Sequence, residues 1–265
     1  MSMAGMSKRD LLFRKPLMNA AGTLGFTPDF RVLREPGSPF DDFGAFITNP
    51  VSLRPRTAAS QPAMIEYPGG FLLHSGLPNP GLNATLKKYA QRWNDSPWPI
   101  IVHLMADRPE ETQQMVQRLE SMDNVMAVEL GFAPYLADDI LSITLEMCIG
   151  ELPLIFCLST EQVLSLGPRL IEAGAEAVSI AAPRGALPNL TPNPSPERRG
   201  EIIEGRLFGP SLFPQALGIV QSARKLGLPI IGAGGVYSKE NADTMLSAGA
   251  LAVQMDSVLW RGIKA

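Results

Sequence analysis

The chain has 265 residues, too long for a small module and close to the ~250 residues of a single α/β barrel. Its 23 Lys and Arg against 26 Asp and Glu give a formal net charge of −3, which excludes the clustered positive surface that nucleic acid requires. Hydrophobic residues at 45% and charged residues at 18% exclude wholesale disorder, and 24 Gly with 24 Pro in no fixed period exclude collagen-like structure.

Cys148 and Cys157 are too few for a disulfide framework, and His74 and His103 lack metal-ligand spacing, so no metal site is expected. No apolar run approaches the ~18 residues of a membrane span. Lys8, Arg9 and Asp10 precede the first apolar stretch, unlike a secretory signal. The expectation is a soluble cytoplasmic protein, residues 1–265 forming one domain, with a small-molecule substrate and no nucleic-acid or membrane partner. A homodimer stays open.

Eight short apolar runs follow in order: Pro16–Ala20, Ala45–Thr48, Ile100–Leu104, Val125–Leu130, Leu154–Leu158, Ala177–Ala181, Pro229–Gly232 and Leu251–Met255. Most lack polar alternation, as parallel strands covered on both faces do. Amphipathic segments lie between them. Glu110–Ser121 gathers Met115, Val116 and Leu119 on one face, and Thr160–Ala173, Ser211–Leu226 and Lys239–Ala248 read as further helices. Thr160 and Ser238 suit N-caps, while Gly174, Gly227 and Gly249 suit C-termini. This alternation predicts a (β/α)8 TIM barrel in the α/β class, with an open doubly wound sheet as the alternative.

Two stretches break the rhythm. Asn49–Asn83 is rich in proline and glycine, so no helix is expected through it, and its position after the second run suits an active-face loop. Pro183–Pro210 holds a polar, low-complexity centre, residues 191–201, read as a mobile and inert insertion. The turn Gly232-Ala233-Gly234-Gly235 between the seventh run and a helix start is the strongest phosphate-binding signal. Asp256, after the eighth run, is awkward there because a carboxylate repels a phosphate.

These residues, taken together, resemble the soluble class of dihydroorotate dehydrogenases. The resemblance is carried by Lys15-Pro16-Leu17-Met18-Asn19-Ala20-Ala21-Gly22, Gly44-Ala45-Phe46-Ile47-Thr48-Asn49-Pro50, Tyr67-Pro68-Gly69-Gly70 through Ser75-Gly76-Leu77-Pro78-Asn79-Pro80, Leu207-Phe208-Gly209-Pro210 and the glycine turn. It runs from about residue 11 to 259. It implies FMN as cofactor and hydride transfer from dihydroorotate, a reaction of pyrimidine biosynthesis. On this likeness Ala20, Ala21, Gly22, Asn49, His103, Gly209, Gly234, Gly235 and Ser257 would hold the cofactor, and Ser75, Gly76 and Leu77 the substrate.

The departures bear on chemistry. The family's two flavin-side lysines fall at Asn49 and Cys157, and its phosphate-site glycine at Asp256. The catalytic base falls at Pro134, and substrate asparagines fall at Leu73, Gly131, Leu136 and Ala182. No catalytic residue is therefore assigned. Three readings stay open: an FMN-dependent oxidoreductase with a shifted substrate, a non-catalytic relative with a binding or assembly role, and a phosphate-ligand barrel enzyme without flavin. Cys157 and Cys148 are expected as core residues, and Tyr135 as a candidate hydrogen-bond donor near the lost base. Glu129 is a candidate for an interior polar network. His103 is read as either a site residue or a buried core histidine.

Overall fold

A computed structural model of the protein describes residues 9–28, 42–60, 63–189 and 201–260. All eight apolar runs form strands of one parallel sheet: β1 (Leu17–Asn19), β2 (Phe46–Ile47), β5 (Ile100–Met105), β6 (Val125–Gly131), β7 (Leu154–Leu158), β8 (Ala177–Ile180), β11 (Ile230–Ala233) and β12 (Ala252–Met255). The sheet order β1-β12-β11-β8-β7-β6-β5-β2 leaves β1 and β2 at the two ends, and these ends meet. Gly44 N–H donates to the Leu17 carbonyl at 2.8 Å. The Asn19 side chain accepts from Ile47 N–H at 2.9 Å and donates to the Ile47 carbonyl at 2.7 Å, completing by an amide what short strands leave open. The sheet curls into a barrel, and the open-sheet alternative falls.

Strand side chains alternate between two environments, as a period of two requires. Met18, Ile47, Ile101, Ala127, Ile155, Ala177, Ile231 and Ala252 fill the barrel interior. Their neighbours, such as Val102, Val128, Phe156, Val178 and Val253, belong to the outer core. The helices that cover this outer face are α1 (Leu82–Asn94), α2 (Pro109–Glu120), α3 (Asp138–Cys148), α4 (Thr160–Ser165), α5 (Gly167–Glu172), α6 (Phe213–Lys225) and α7 (Lys239–Ala248). In α2 the buried side chains are Thr112, Met115, Val116 and Leu119, one stripe at helical spacing. Each fully buried Met, Val or Leu contributes roughly 1.5–3 kcal/mol, enough to fix this face inward.

Several helix expectations need correction. Thr160–Ala173 is two short helices, because the chain passes Leu166 at φ −102° before Gly167-Pro168, and Ser159 rather than Thr160 is the cap, accepting from Gln162 N–H. Ser211–Leu226 starts as a 3-10 turn at Pro210–Leu212 and becomes α-helical only at Phe213. Ser238 caps α7 as expected, and Gly249 ends it in the left-handed region.

The two irregular stretches hold the larger surprise. Within Asn49–Asn83 the chain makes a hairpin, β3 (Ala63–Tyr67) and β4 (Gly70–His74), and α1 begins at Leu82, inside the stretch expected to lack helix. The flanks of the Pro183–Pro210 stretch are β9 (Arg184–Pro188) and β10 (Ile202–Phe208). Both hairpins join in one antiparallel sheet, order β3-β4-β10-β9. Of the 191–201 insertion only Glu201 is among the described residues. Phe71 and Phe208 stack across β4 and β10 at 5.4 Å between ring centroids, with Trp260 5.9 Å from Phe71. This second sheet shares the mouth-side cavities with the C-terminal ends of the barrel strands.

Candidate functional site

Two residues beyond the apolar interior layer, the inward positions turn polar. Ile101 is followed by His103, Ala127 by Glu129, Ile155 by Cys157, Ala177 by Ser179 and Ala252 by Gln254. The Glu129 carboxylate, 1% exposed, is the hub. His103 Nδ1 lies 2.7 Å from one oxygen; Ser179 Oγ at 2.7 Å and Gln254 Nε2 at 2.6 Å donate to the other. Burial alone would raise the Glu129 carboxyl, but the hydrogen bond and attraction of His103, with Ser179 and Gln254, hold it below the ordinary glutamate range. An ionised carboxylate only accepts, so His103 carries its hydrogen on Nδ1. Its Nε2 faces Gly131, where any side chain would overlap the imidazole.

Cys157 belongs to this layer rather than to the apolar core. It lines two cavities, and burial, then the charge of Glu129, push its thiol up to about 12. Such a thiol is a poor nucleophile at neutral pH. Cys148 is a core residue as expected, its thiol also raised to about 12 by burial.

Three cavities open around the mouth. One of about 340 Å³ gathers the expected substrate residues Ser75, Gly76 and Leu77 with Ala21, Gly22 and His103. A second of about 40 Å³ lies over the barrel axis, between Ala20, Ala21, His103, Glu129, Gly234 and Asp256. Arg206 and Phe208 from β10 line both. The third, about 660 Å³, lies between the loops after β6, β7 and β8, and its lining includes Arg184, Arg206, Phe132 and Leu212. Among the described residues no cluster of His, Cys, Asp and Glu gathers for a metal ion.

Other expected cofactor residues sit outside these cavities. Asn49, just after β2, ties its loop to the one after β1, accepting from Gly25 N–H at 3.1 Å. Gly209, at φ 140°, packs against Gly69 and Gly70 so closely that a Cβ would meet backbone. Tyr135 is 95% exposed at φ 64°, and no hydrogen bond from its hydroxyl occurs among the described residues. Pro134 lines two cavities, without any proton-accepting atom on its side chain. The loop it belongs to is pinned by Asp107, which accepts from Ala133 N–H at 2.9 Å.

The glycine turn is present and already engaged. Asp256, 5% exposed, accepts hydrogen bonds from the Ser257 N–H and Oγ, and the Gly235 N–H at the turn also favours its charged form. Ser257 Oγ in turn bonds the Tyr237 hydroxyl. Burial raises the Asp256 carboxyl above its usual value, more than these bonds lower it. A negative charge is thus already buried at the turn that the family resemblance would give to a flavin phosphate. The adjoining axial cavity, about 40 Å³, is near the ~30 Å³ share of one water and far below the ~300–1,000 Å³ of ligand pockets. Ala21, His103, Arg206 and Phe208 line both this cavity and the 340 Å³ one. The residues as arranged do not fit FMN.

Sequence reading missed Ser179, Arg184, Arg206, Asp107 and Trp260. For Ser179 the signal was available: with strands aligned, each polar residue falls two places past an interior Ile or Ala. For the arginines no such signal existed, because β9 and β10 were read as loop.

A model of the dihydroorotate dehydrogenase family matches residues 5–133. Dihydroorotate dehydrogenase B (NAD(+)), catalytic subunit, of Geotalea uraniireducens is 29% identical over 261 residues, covering 91% of this chain and 82% of that protein. The same subunit of Trichlorobacter lovleyi is 29% identical over 264 residues, covering 92% and 84%. That of Pelobacter propionicus is 30% identical over 260 residues, again covering 92% and 84%. With this agreement along nearly its whole length, on a barrel of the expected topology, the chain belongs to the dihydroorotate dehydrogenase family as a divergent member.

Proposed function

We propose that this chain keeps the family's barrel as a small-molecule-binding unit and has lost the oxidation of dihydroorotate. The observation that carries this is the buried Asp256 carboxylate, bonded to the Ser257 amide and hydroxyl beside the Gly234-Gly235 turn, where the resemblance would put a flavin phosphate. The loop after β6 reinforces it, since Pro134 offers no base and general-base assistance is typically worth about 10²–10⁴-fold in rate. Ala182, Leu73 and Leu136 supply none of the paired polar contacts that a ring of carbonyls and N–H groups demands, and such contacts carry most of its selectivity. The test is spectroscopic and kinetic. Purified protein should lack the absorbance band of oxidised flavin, and added FMN with dihydroorotate should give no reduction. A yellow protein that dihydroorotate bleaches at an ordinary enzymatic rate would sink the reading.

A second reading, an FMN-dependent oxidoreductase with a shifted substrate, is favoured by the 340 Å³ cavity. It brings Ala21, Gly22 and His103 together with Ser75, Gly76 and Leu77, the residues expected for cofactor and substrate. For that reading Arg206 and Asp256 must both withdraw, and bound flavin in the purified protein would decide for it.

A further inference from the structure

Arg184 and Arg206 are direct partners in the antiparallel β9–β10 ladder. Residues so paired project from the same face, and both side chains line the 660 Å³ and 340 Å³ cavities. Like charges directly opposite destabilise a sheet. Neither guanidinium has a hydrogen-bonded or ion-paired partner among the described residues, although Glu129 and Asp107 act on Arg206 from a distance. Burial, before any other influence, pushes the Arg206 pKa down, so its charge is poorly solvated. A half-buried cation without a partner, facing a second cation across a ladder, is costly unless something anionic enters between them.

The geometry points to a binding site for a small oxyanion, carboxylate or phosphate, carried on a flat apolar body, in the 660 Å³ cavity. The two guanidiniums grip the oxyanion, each offering a planar fork of donors that matches it. Phe132, Leu141, Leu207 and Leu212 receive the apolar part. Ser159 and Gln215 add polar lining, and the cavity lies within the usual volume range for ligands. Among the described residues Glu161 is the one carboxylate lining this cavity, and Thr160 Oγ1 donates to it at 2.9 Å. This inference rests on the binding reading above and gives it a ligand class.

Thermal shift and calorimetric titration test it with phenyl phosphate, benzoate and neutral benzyl alcohol. Both anions should stabilise the parent, with shifts that shrink in high salt, and benzyl alcohol should not. Arg184→Gln and Arg206→Gln should each weaken anion binding roughly ten- to a hundredfold, the loss of a charge-assisted hydrogen-bond pair. Without ligand, neither variant should melt below the parent, since each relieves the like-charge pair. If Arg206→Gln does not fold, the exposed Arg184 carries the test alone. Failure of both anions to bind the parent, or unchanged binding in Arg184→Gln, overturns the site. Dihydroorotate-driven flavin reduction in the same preparation would overturn the proposed function instead, leaving the titration to judge the anion site separately.

Discussion

The carboxylate of Asp256 accepts from the backbone N–H and the hydroxyl of Ser257, and the backbone N–H of Gly235 across the glycine turn also stabilises its charge. β11 and β12 are neighbours, with Ala233 beside Gln254, so the turn after one strand and the first residue past the other must meet. An anion-binding turn is thereby satisfied from within. Asp256→Gly should free the turn, and FMN should bind this variant more tightly than the parent, with Asp256→Gly/Arg206→Gly tighter still because the axial cavity is then cleared. Isothermal titration measures all three proteins. Tight binding by the parent with no gain in either variant would show that the carboxylate leaves the turn readily.

The same carboxyl has a pH signature. Its folded pKa is raised, so folding favours the protonated form, and stability falls as pH rises from the ordinary aspartate value through the raised one. Asp256→Asn keeps an acceptor for Gly235 and Ser257 and removes the titration. It should match or exceed the parent in stability at neutral pH, and the difference should vanish in acid. Denaturant midpoints at pH 4 and pH 8 compare them; an Asn variant clearly weaker at pH 8 would contradict the account.

Glu129 behaves with the opposite sign. Its folded pKa is lowered, so its contribution is present above the ordinary glutamate value and disappears as pH falls through the folded one. Glu129→Ala orphans donors on His103, Ser179 and Gln254. At about 1–3 kcal/mol for each unsatisfied buried group, the loss should exceed ~3 kcal/mol at pH 7. Glu129→Gln should lose less and should also lose the parent's extra sensitivity to acid. A Glu129→Ala protein as stable as the parent would mean that water replaces the hub at no cost.

Gly131 is required by its neighbour rather than by its backbone. Any Cβ there overlaps His103 Nε2. Gly131→Ala must push the imidazole off Glu129, and overpacking of this kind costs roughly 1–3 kcal/mol. A melting curve checks the size, and His103→Ala in the same background should recover part of it. Failure of that rescue would show that the strain lies elsewhere.

Cys157 lines two cavities yet should be slow to alkylate. With its thiol near 12, the reactive thiolate is scarce at pH 7. Mass spectrometry after iodoacetamide treatment should find Cys157 unmodified long after a small free thiol is consumed, and Glu129→Gln should speed the reaction by removing the adjacent negative charge. Rapid labelling of the parent would refute this.

The barrel was legible because its signal is local. Runs such as Ile100–Leu104 and Leu154–Leu158 are apolar on successive positions, as only strands buried on both faces are, and helix punctuation at Ser238 and Gly249 lies beside its helix in the chain. The glycine turn was legible for the same reason. The tertiary structure alone decided the rest. Glu129, His103, Ser179 and Gln254 sit on four strands, and only closure of the sheet sets their side chains 2.6–2.7 Å from the Glu129 carboxylate. The direction of the Asp256 side chain depends on two strands being neighbours, and the pairing of Arg184 with Arg206 depends on a ladder between two segments of one long connection that are not adjacent in the chain. Strand and helix patterns are written in nearest neighbours along the chain, whereas the charges that define this site come from residues up to 149 positions apart in sequence, Asp107 to Asp256, brought together when the apolar layers are buried.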